Sequence, residues 1–486
     1  MNQSKHPHWA LKYRTPGTEL RLIRGHYYLY EYKTVYDAQK KKPKKISGKV
    51  IGHITQQDGL VLSSKRQLEK TIKNEVLPKL YCKEYGMSFL VQKHFSKCLH
   101  FLQQAFPHEW KQIAAIAYCR FVYHCPLKRI PFYLSQSFLP ELLKLKSFND
   151  KTSSQVLHTI GKKREKMLEY MQSFICKEEY LLMDATNVFS NSSLIPLSKK
   201  GYNSHLNYDP QFNLMYIYSS KNQIPVYYRI LPGNIREVKA FKNCLLEAGL
   251  DKAVIIADKG FYSKKNMELL LEEELKFILP IKRDNPLIDY CSIADNSFKK
   301  NDAYFEHEGR IIWYRKYIVE NLSLFLFQDD TLKVTEERDY LRRIQTHPES
   351  YSYQEYHNKR NSFGTLALLT AFKKKAALDV YQTYKSRNTI EVFFDGMKNV
   401  IDADHTYMQD ETTLQGWMFI NHITLQWYQQ LYIELKNKEL LKTISVNDYV
   451  QLLTDVKRIF INGTWYPNEI TAKTTKLIEK IGLSLS

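Results

Sequence analysis

Two apolar runs punctuate the middle of the chain. Tyr180-Leu181-Leu182-Met183 ends abruptly in Asp184, and Ala253-Val254-Ile255-Ile256-Ala257 ends in Asp258. A run that is apolar at consecutive positions reads as a central strand buried on both faces. Around these runs the pattern alternates between strand and helix periods. Phe212–Tyr218 and Ile224–Ile230 flank the polar turn Ser219–Gln223 and predict an antiparallel pair. A helical period covers about Val238 to Ala248, and a second covers Lys264 to Glu274, with the strand Phe277–Ile281 after it. The predicted order is β-β-β-α-β-α-β.

The flanking segments differ in pattern. From Arg21 to Ile54, HYYLYEYKTVY is dense in aromatic and β-branched residues, KKKPKK (Lys40 to Lys45) reads as a Pro-broken basic loop, and KVIGHI comes after it. This predicts a β-hairpin in a basic N-terminal region, residues 1–64. Residues 65–176 are mostly helical in period, broken near Pro107, Pro126, Pro131 and Pro140, with N-cap candidates at Thr152-Ser153-Ser154. Its Lys- and Arg-bearing helices either bind a polyanion such as DNA or brace the domain C-terminal to them. The strand–helix pattern begins at 177 and pauses at 281. Between 282 and 378 strands are predicted at Tyr304–His307, Arg310–Ile318 and Leu322–Gln328, joined by Glu308-Gly309 and Glu320-Asn321 turns. A polar stretch rich in Glu, Arg and Tyr comes next, for which a helix is one reading. Nearly a hundred residues is too long for a loop, so the segment reads as a β-rich insertion subdomain. Residues 379–436 resume the interrupted domain, with an apolar, aromatic helix from Trp417 to Leu431. Residues 437–486 read as a small appendage of strand and helix.

One further stretch changes the picture. On a helix, Tyr384, Arg387, Glu391 and Lys398 of YKSRNTIEVFFDGMK fall within about 60° of one another, beside an apolar sector of Ile390, Phe393, Phe394 and Met397. An i, i+4 Arg387–Glu391 pair is ordinary surface decoration when taken alone. Two strand-end aspartates alter that reading. An acid after a strand can cap the next helix, but two such acids and a helix glutamate strain that explanation. Three carboxylates suit hard divalent cations such as Mg2+, which act in phosphodiester chemistry as ions held ~3.5–4 Å apart.

Charge points the same way. With 71 basic and 51 acidic residues the chain carries a formal charge of +20, which argues for a polyanionic partner. Hydrophobic residues at 44% and aromatics at 13% exclude a disordered chain. No apolar run is long enough to cross a membrane, and MNQSKHPHWALKYRT lacks the apolar core of a secretory signal, so a cytoplasmic protein is expected. The seven cysteines show no C-x-x-C pair and read as buried free thiols. His94, Cys98, His100, Cys119, His124 and Cys125 crowd one region, but without the regular spacing of a zinc site.

These residues carry a resemblance. Asp184, Asp258 and Glu391 resemble the triad of DDE transposases. The Y-x2-R-x3-E-x6-K spacing of Tyr384, Arg387, Glu391 and Lys398 is similar to the signature of one bacterial insertion-sequence branch. Gly201-Tyr202, Pro232-Gly233-Asn234, Asp258-Lys259-Gly260-Phe261-Tyr262, Phe363-Gly364 and Leu369-Thr370 extend it, with weaker similarity over most of the chain. The resemblance implies an α/β fold with a ribonuclease H-like catalytic domain, whose first and fourth strands are adjacent and would bring Asp184 and Asp258 together. It implies a bacterial, nucleoid-associated enzyme that binds terminal inverted repeats, double-stranded DNA at transposon ends and target, and works as a homodimer in the DNA complex.

The activity implied is cleavage that frees a 3′-OH, attack of that hydroxyl on a phosphodiester, and cut-and-paste insertion through an end hairpin. Asp184, Asp258 and Glu391 would hold two Mg2+ ions, with Mn2+ as a substitute. Tyr384, Arg387 and Lys398 would hold the phosphate near the cleaved end, Arg387 by a two-donor grip and Lys398 as a point charge. Lys40, Lys41, Lys42, Lys44 and Lys45 are expected against DNA phosphates, and Trp313 or Phe363 as a platform for an extruded base. Two alternatives remain: a ribonuclease H-like nuclease or resolvase, and a non-catalytic DNA-binding protein.

Overall fold

The apolar runs before Asp184 and Asp258 lie side by side in an eleven-stranded sheet of the computed structural model. The structure describes residues 6–37, 41–67, 80–146, 148–176, 180–190, 192–201, 209–234, 238–250, 254–294, 297–299, 303–387, 390, 393–394, 396 and 405–483. The chain divides into two units, residues 1–81 with 460–464, and residues 82–459 with 465–486.

The first unit is an antiparallel meander of β1 (Thr18–Ile23), β2 (His26–Asp37), β3 (Lys42–Thr55) and β4 (Gly59–Leu62). Its core is small: Ala10, Leu20, Leu29 and Ile54, with Trp9 edge-on to Tyr27 at 5.3 Å. β2 and β3 outrun their neighbours. Tyr32–Asp37 pairs with Lys42–Ser47, while β1 pairs only as far as Glu31 and β4 only from Gly52, so this end is a two-stranded ribbon. Three of the lysines expected in a loop are therefore strand residues, with Lys45 opposite Thr34, Lys44 opposite Val35 and Lys42 opposite Asp37, while Lys41 lies in the turn before them. Pro43 does not break the strand, because β3 is an edge there and proline is tolerated where its nitrogen faces no partner. The ribbon's lysines are exposed, and Lys45 reaches both the Glu19 carboxylate at 2.8 Å and the Tyr32 ring at 3.8 Å.

The second unit starts within β5 (Tyr81–Glu84), runs through a series of helices, then enters the sheet. Its catalytic strands are β6 (Tyr180–Ser190), β7 (Lys199–Lys200), β8 (Pro210–Ser219), β9 (Ile224–Pro232), β10 (Val254–Ala257) and β11 (Lys276–Ile281). β6, β10 and β11 are parallel, β8 is antiparallel to β6, and β9 is antiparallel to β8. The order β9-β8-β6-β10-β11, with the helices Val238–Ala248 and Lys264–Glu272 between strands, is ribonuclease H-like, as expected. β6 runs six residues past Asp184 instead of ending there, because β8 pairs with it through Phe189 and β16 (His405–Thr406) pairs with its end.

Residues after β11 extend the same sheet. β12 (Tyr304–His307), β13 (Arg310–Val319) and β14 (Leu322–Asp329) form a meander, the helices Asp330–Thr346 and Tyr353–Lys359 come next, and β15 (Thr365–Thr370) returns between β14 and β11. β15 pairs antiparallel with both neighbours. Its TLALLT sequence is apolar toward both faces, as a fully enclosed strand requires.

A 27-residue helix, Glu411–Asn437, is buried along most of its length and ties the helical region to the sheet. Trp427 stacks on Phe95 at 5.3 Å, Gln426 accepts from the Tyr170 hydroxyl and donates to the Pro225 carbonyl, and Gln429 donates to the Tyr218 hydroxyl. The helix Asp150–Gly161 starts earlier than expected. Asn149 is its cap, accepting from the Thr152 amide at 2.9 Å in a reciprocal capping box. Nearby, the fully enclosed Glu84 carboxylate accepts from the Ser88 hydroxyl at 2.7 Å, from the Ser88 amide and from the Tyr118 hydroxyl. Burial pushes it up to about 7 despite these donors. Cys98, Cys119, Cys125 and Cys244 are buried thiols as expected, whereas Cys82 and Cys291 are exposed. Two strands, β17 (Lys457–Ile461) and β18 (Thr464–Pro467), and the helix Ala472–Lys480 close the chain. Among the described residues no helix is long and apolar enough to cross a membrane.

Candidate active site

The parallel register sets the site. Met183 lies beside Ala257, so the next residue on each strand, Asp184 and Asp258, occupies the same level. The acids stand at the carboxyl ends of the hydrogen-bonded stretch of β6 and β10, where α/β sheets place their ligands. Asp258 begins the short turn Lys259–Phe261 in N-cap position, yet its side chain makes no capping bond. Capping therefore does not account for it. The Asp184 carboxylate accepts from the Ala185 amide at 2.9 Å.

Arg387 joins the two acids. One terminal nitrogen of its guanidinium donates to Asp184 Oδ2 and the other to Asp258 Oδ1, each at 3.3 Å. The Arg387 side chain is 14% exposed, against 18% for Asp184 and 37% for Asp258. Burial pushes the Asp184 carboxyl above its usual range, offset in part by the arginine and reinforced by the neighbouring Asp258 charge. Burial also opposes the charge on Arg387, but the two carboxylates outweigh it and hold the guanidinium above its ordinary value. The arginine thus stays charged, while burial leaves Asp184 less readily ionised than an aspartate in water.

The signature stretch is not one uninterrupted helix. The helix Ala377–Lys385 closes at Ser386, whose hydroxyl donates to the Thr383 carbonyl and whose amide donates to the Gln382 carbonyl. The Arg387 amide bonds three residues back, to the Tyr384 carbonyl, and helical backbone resumes at Ile390. The turn carries Arg387 inward to the acids. Tyr384 is half-buried in the last turn of the first helix, against the core. Glu391, Lys398 and Lys40 lie outside the described residues, so the third expected carboxylate is not placed. Among the described residues no three metal-ligating side chains converge.

The donor set nevertheless fits a divalent cation. Two carboxylates supply hard oxygens, and a cationic group already sits where their charges meet. Asp184 and Asp258 are the described residues that would hold it.

One feature that the sequence pattern did not mark supports the acids. Tyr216 on β8 is directly opposite Asp184 and on its face of the sheet. Its buried ring lies 4.9 Å from Phe393, edge-on, and stacks at 5.9 Å on His422 of the long helix. Burial holds His422 neutral, down at about 3. Tyr216 thus props the segment that carries Phe393. Only the β6–β8 register reveals this role, since FNLMYIY alone does not say which tyrosine faces Asp184. Elsewhere on the sheet, a Cβ on Gly201 would fall 2.1 Å from the Gly233 carbonyl oxygen, which explains glycine in the Gly201-Tyr202 pair.

The aromatic platform candidates are not brought to the acids. Register across β10, β11, β15, β14 and β13 places Lys316, not Trp313, on the face of Asp184 and Asp258. Trp313 faces the other way, with Tyr304 at 5.2 Å and Lys299 over its ring. Phe363 is 7% exposed in a small core with Tyr340 and Ile344. Lys41, Lys42, Lys44 and Lys45 belong to the other unit.

An acid pair on adjacent strands of this topology defines a ribonuclease H-like enzyme. The chain matches the family described as Transposase DDE domain over residues 176–427, more than half its length, and belongs to that family. It is therefore a DDE transposase, an enzyme acting on DNA, of a family that generally uses divalent metal ions. No curated protein sequence matches the chain. Among solved structures it is similar to a piggyBac transposase in a synaptic complex with hairpin DNA, at 11% identity and a TM-score of 0.38, covering 71% of this chain and 69% of that one.

Proposed function

We propose that this transposase binds the terminal inverted repeats of an insertion sequence and catalyses Mg2+-dependent strand cleavage and strand transfer, by cut-and-paste through an end hairpin. The observation that carries this reading is the convergence of Asp184 and Asp258, at one level on adjacent strands, on a single cation. Asp184, Asp258 and Glu391 would hold two Mg2+ ions, or Mn2+ in their place, which would supply Lewis-acid chemistry for the attacking and leaving oxygens. Arg387 is aimed at the acids by the Ser386 turn, and with Tyr384 and Lys398 it grips the phosphate at the cleaved end. A planar guanidinium that spans two carboxylates can equally span two phosphate oxygens.

The ribbon of β2 and β3 supplies a separate DNA-binding element. Two strands ~4.8 Å apart with their side chains fit a major groove ~12 Å wide, and Lys41, Lys42, Lys44 and Lys45, with Lys40, face the phosphates. A base platform at Trp313 would lie on the face away from the acids, and one at Phe363 would require its small core with Tyr340 and Ile344 to open. The DNA partner is a duplex end held by a protein dimer in the complex.

The test is a terminal-repeat oligonucleotide taken from DNA flanking the gene, incubated with Mg2+ and with a target duplex. Cleavage followed by joining is expected. Cleavage without joining identifies a nuclease, and neither activity with binding intact identifies a non-catalytic binder.

A further inference from the structure

Strand pairing sorts the β2–β3 ribbon into two unlike faces. Tyr32 pairs with Ser47, Thr34 with Lys45 and Tyr36 with Pro43, and these residues share one face. Lys33 pairs with Ile46, Val35 with Lys44 and Asp37 with Lys42, and these share the other. Side chains alternate along a strand, so no residue serves both faces. The Tyr32 face is engaged with its own neighbours. Lys45 bonds Glu19 and lies over the Tyr32 ring, while Arg21 also bonds Glu19, donates to the Ser47 hydroxyl at 2.5 Å and lies 4.6 Å from the Tyr30 ring centroid.

The Val35 face is built differently. Val35 is 49% and Ile46 48% exposed, and the two are diagonal neighbours across the ribbon, with Lys33 and Lys44 at the other corners. Lys33 stands on β2 and Lys44 on β3, both exposed. Asp37 joins this face at the tip, opposite Lys42, so by register it holds one acid against three lysines. Glu31, nearer the small core, is bonded to Arg66. Valine and isoleucine are favoured in any strand, and single apolar residues on a surface are ordinary. An adjacent apolar pair between two ammonium groups, one on each strand, matches something more specific. A major groove has phosphates along both walls, and thymine methyls are the apolar group that its floor offers.

We propose that the ribbon enters the major groove with its Val35 face inward, Val35 and Ile46 against thymine methyls, and Lys33 joining Lys44 on the phosphates. The proposal rests on the reading of the ribbon as a DNA-binding element and adds what that element recognises. Strands are an established means of reading a groove. From residue 33 to residue 37 the ribbon spans ~13 Å at ~3.3 Å per residue, which is about four base pairs at ~3.4 Å each. The sequence class recognised is therefore a thymine-bearing run of about four base pairs.

The experiment uses the full chain and a terminal-repeat duplex in two versions, one with thymidine and one with deoxyuridine, which lacks only the C5 methyl. Wild-type protein should bind the deoxyuridine duplex about fourfold more weakly for each methyl contacted, the transfer worth of one buried carbon. Val35→Ser and Ile46→Ser alter exposed side chains and should leave the melting temperature unchanged. Each should weaken binding of the thymidine duplex and shrink the deoxyuridine penalty. Lys33→Gln should weaken both duplexes alike and lower the log–log salt slope by ~0.9. The comparison of duplexes on wild-type protein needs no substitution, so a variant that fails to fold does not hide the answer. Equal wild-type affinity for the two duplexes overturns the proposal, and so does a penalty undiminished in both serine variants, which places the methyl contacts elsewhere on the protein. Loss of a protein dimer in those variants, with the duplexes bound alike, assigns the face to a second copy of the chain and overturns it too. If wild-type protein still cleaves and joins ends in any of these cases, the transposase reading stands. If it neither binds nor cuts either duplex, both readings fall.

Discussion

The basic ribbon and the acid pair are both charged, but packing treats them in opposite ways. On the ribbon, Lys41, Lys42 and Lys44 extend into water, and the backbone pairing would be the same with other side chains. At the acid pair, the strand register, the Ser386 turn and the Tyr216 prop fix each charge, and a guanidinium bridges them. Charge held in water is replaceable and screened. Charge held by a core is specific, and removing it disturbs everything around it.

The largest effect tests the second half of that contrast. Asp184→Asn or Asp258→Asn should lower end cleavage more than about a thousandfold, ~4 kcal/mol of barrier, with end binding in gel shifts unchanged. Glu391→Gln should match them. A variant that keeps above a tenth of wild-type cleavage removes its residue from the metal-holding set.

A buried charge without a cation makes the next case. Glu84 is pushed from 4.5 to about 7 by burial, so its neutral form is favoured in the fold. The stability this contributes is full below the unfolded value near 4.5 and is lost as pH rises through about 7, a swing of about 3 kcal/mol. Urea unfolding at pH 5 and pH 8 should show that difference, and Glu84→Gln should flatten it. An equal slope in the variant would place the carboxylate in water.

Arg387 tests how closely the acids depend on their bridge. Arg387→Ala leaves two partly buried carboxylates facing each other, which should destabilise the protein by about 1–2 kcal/mol in metal-free buffer, with millimolar Mg2+ restoring the melting temperature. On end DNA it should leave first-strand nicking partly active and depress hairpin and fully cut products, and Arg387→Lys should rescue poorly. A normal product profile would reduce the arginine to a packing partner.

The smallest effect belongs to the ribbon. Replacing Lys41, Lys42, Lys44 and Lys45 with Gln should leave stability unchanged and flatten the salt dependence of DNA binding, by roughly 0.9 log–log units for each phosphate that the ribbon no longer neutralises. An unchanged slope would show that the ribbon points only into solvent.

The catalytic strands were legible because burial on both faces leaves a plain mark: the strands Val254–Ala257 and Lys276–Ile281 fall where the pattern places them. The departures share one cause, in that they depend on a partner distant in sequence. β6 continues past Asp184 because β8 and β16 flank it, and Lys42–Lys45 is strand because Thr34–Asp37 pairs with it. Asn149 rather than Thr152 caps its helix by a choice between nearby polar residues that periodicity does not make. Asp184 and Asp258 were marked by their position at the end of apolar runs, whereas Tyr216 becomes visible only through the register of β8. The break at Ser386 was hidden because a helical wheel assumes a continuous helix.

The arginine bridge also has a consequence for how the protein is made. Arg387 lies 129 residues after Asp258 and 203 after Asp184. At about 5–20 residues per second, synthesis delivers the second acid roughly 6–26 seconds before its counterion. During that interval the ribosome carries a chain whose two acids lack their bridging cation and whose expected third carboxylate, Glu391, has yet to be added. The acid pair is therefore a late product of translation, and a truncated chain ending before Arg387 carries the strands of the site without its charge balance.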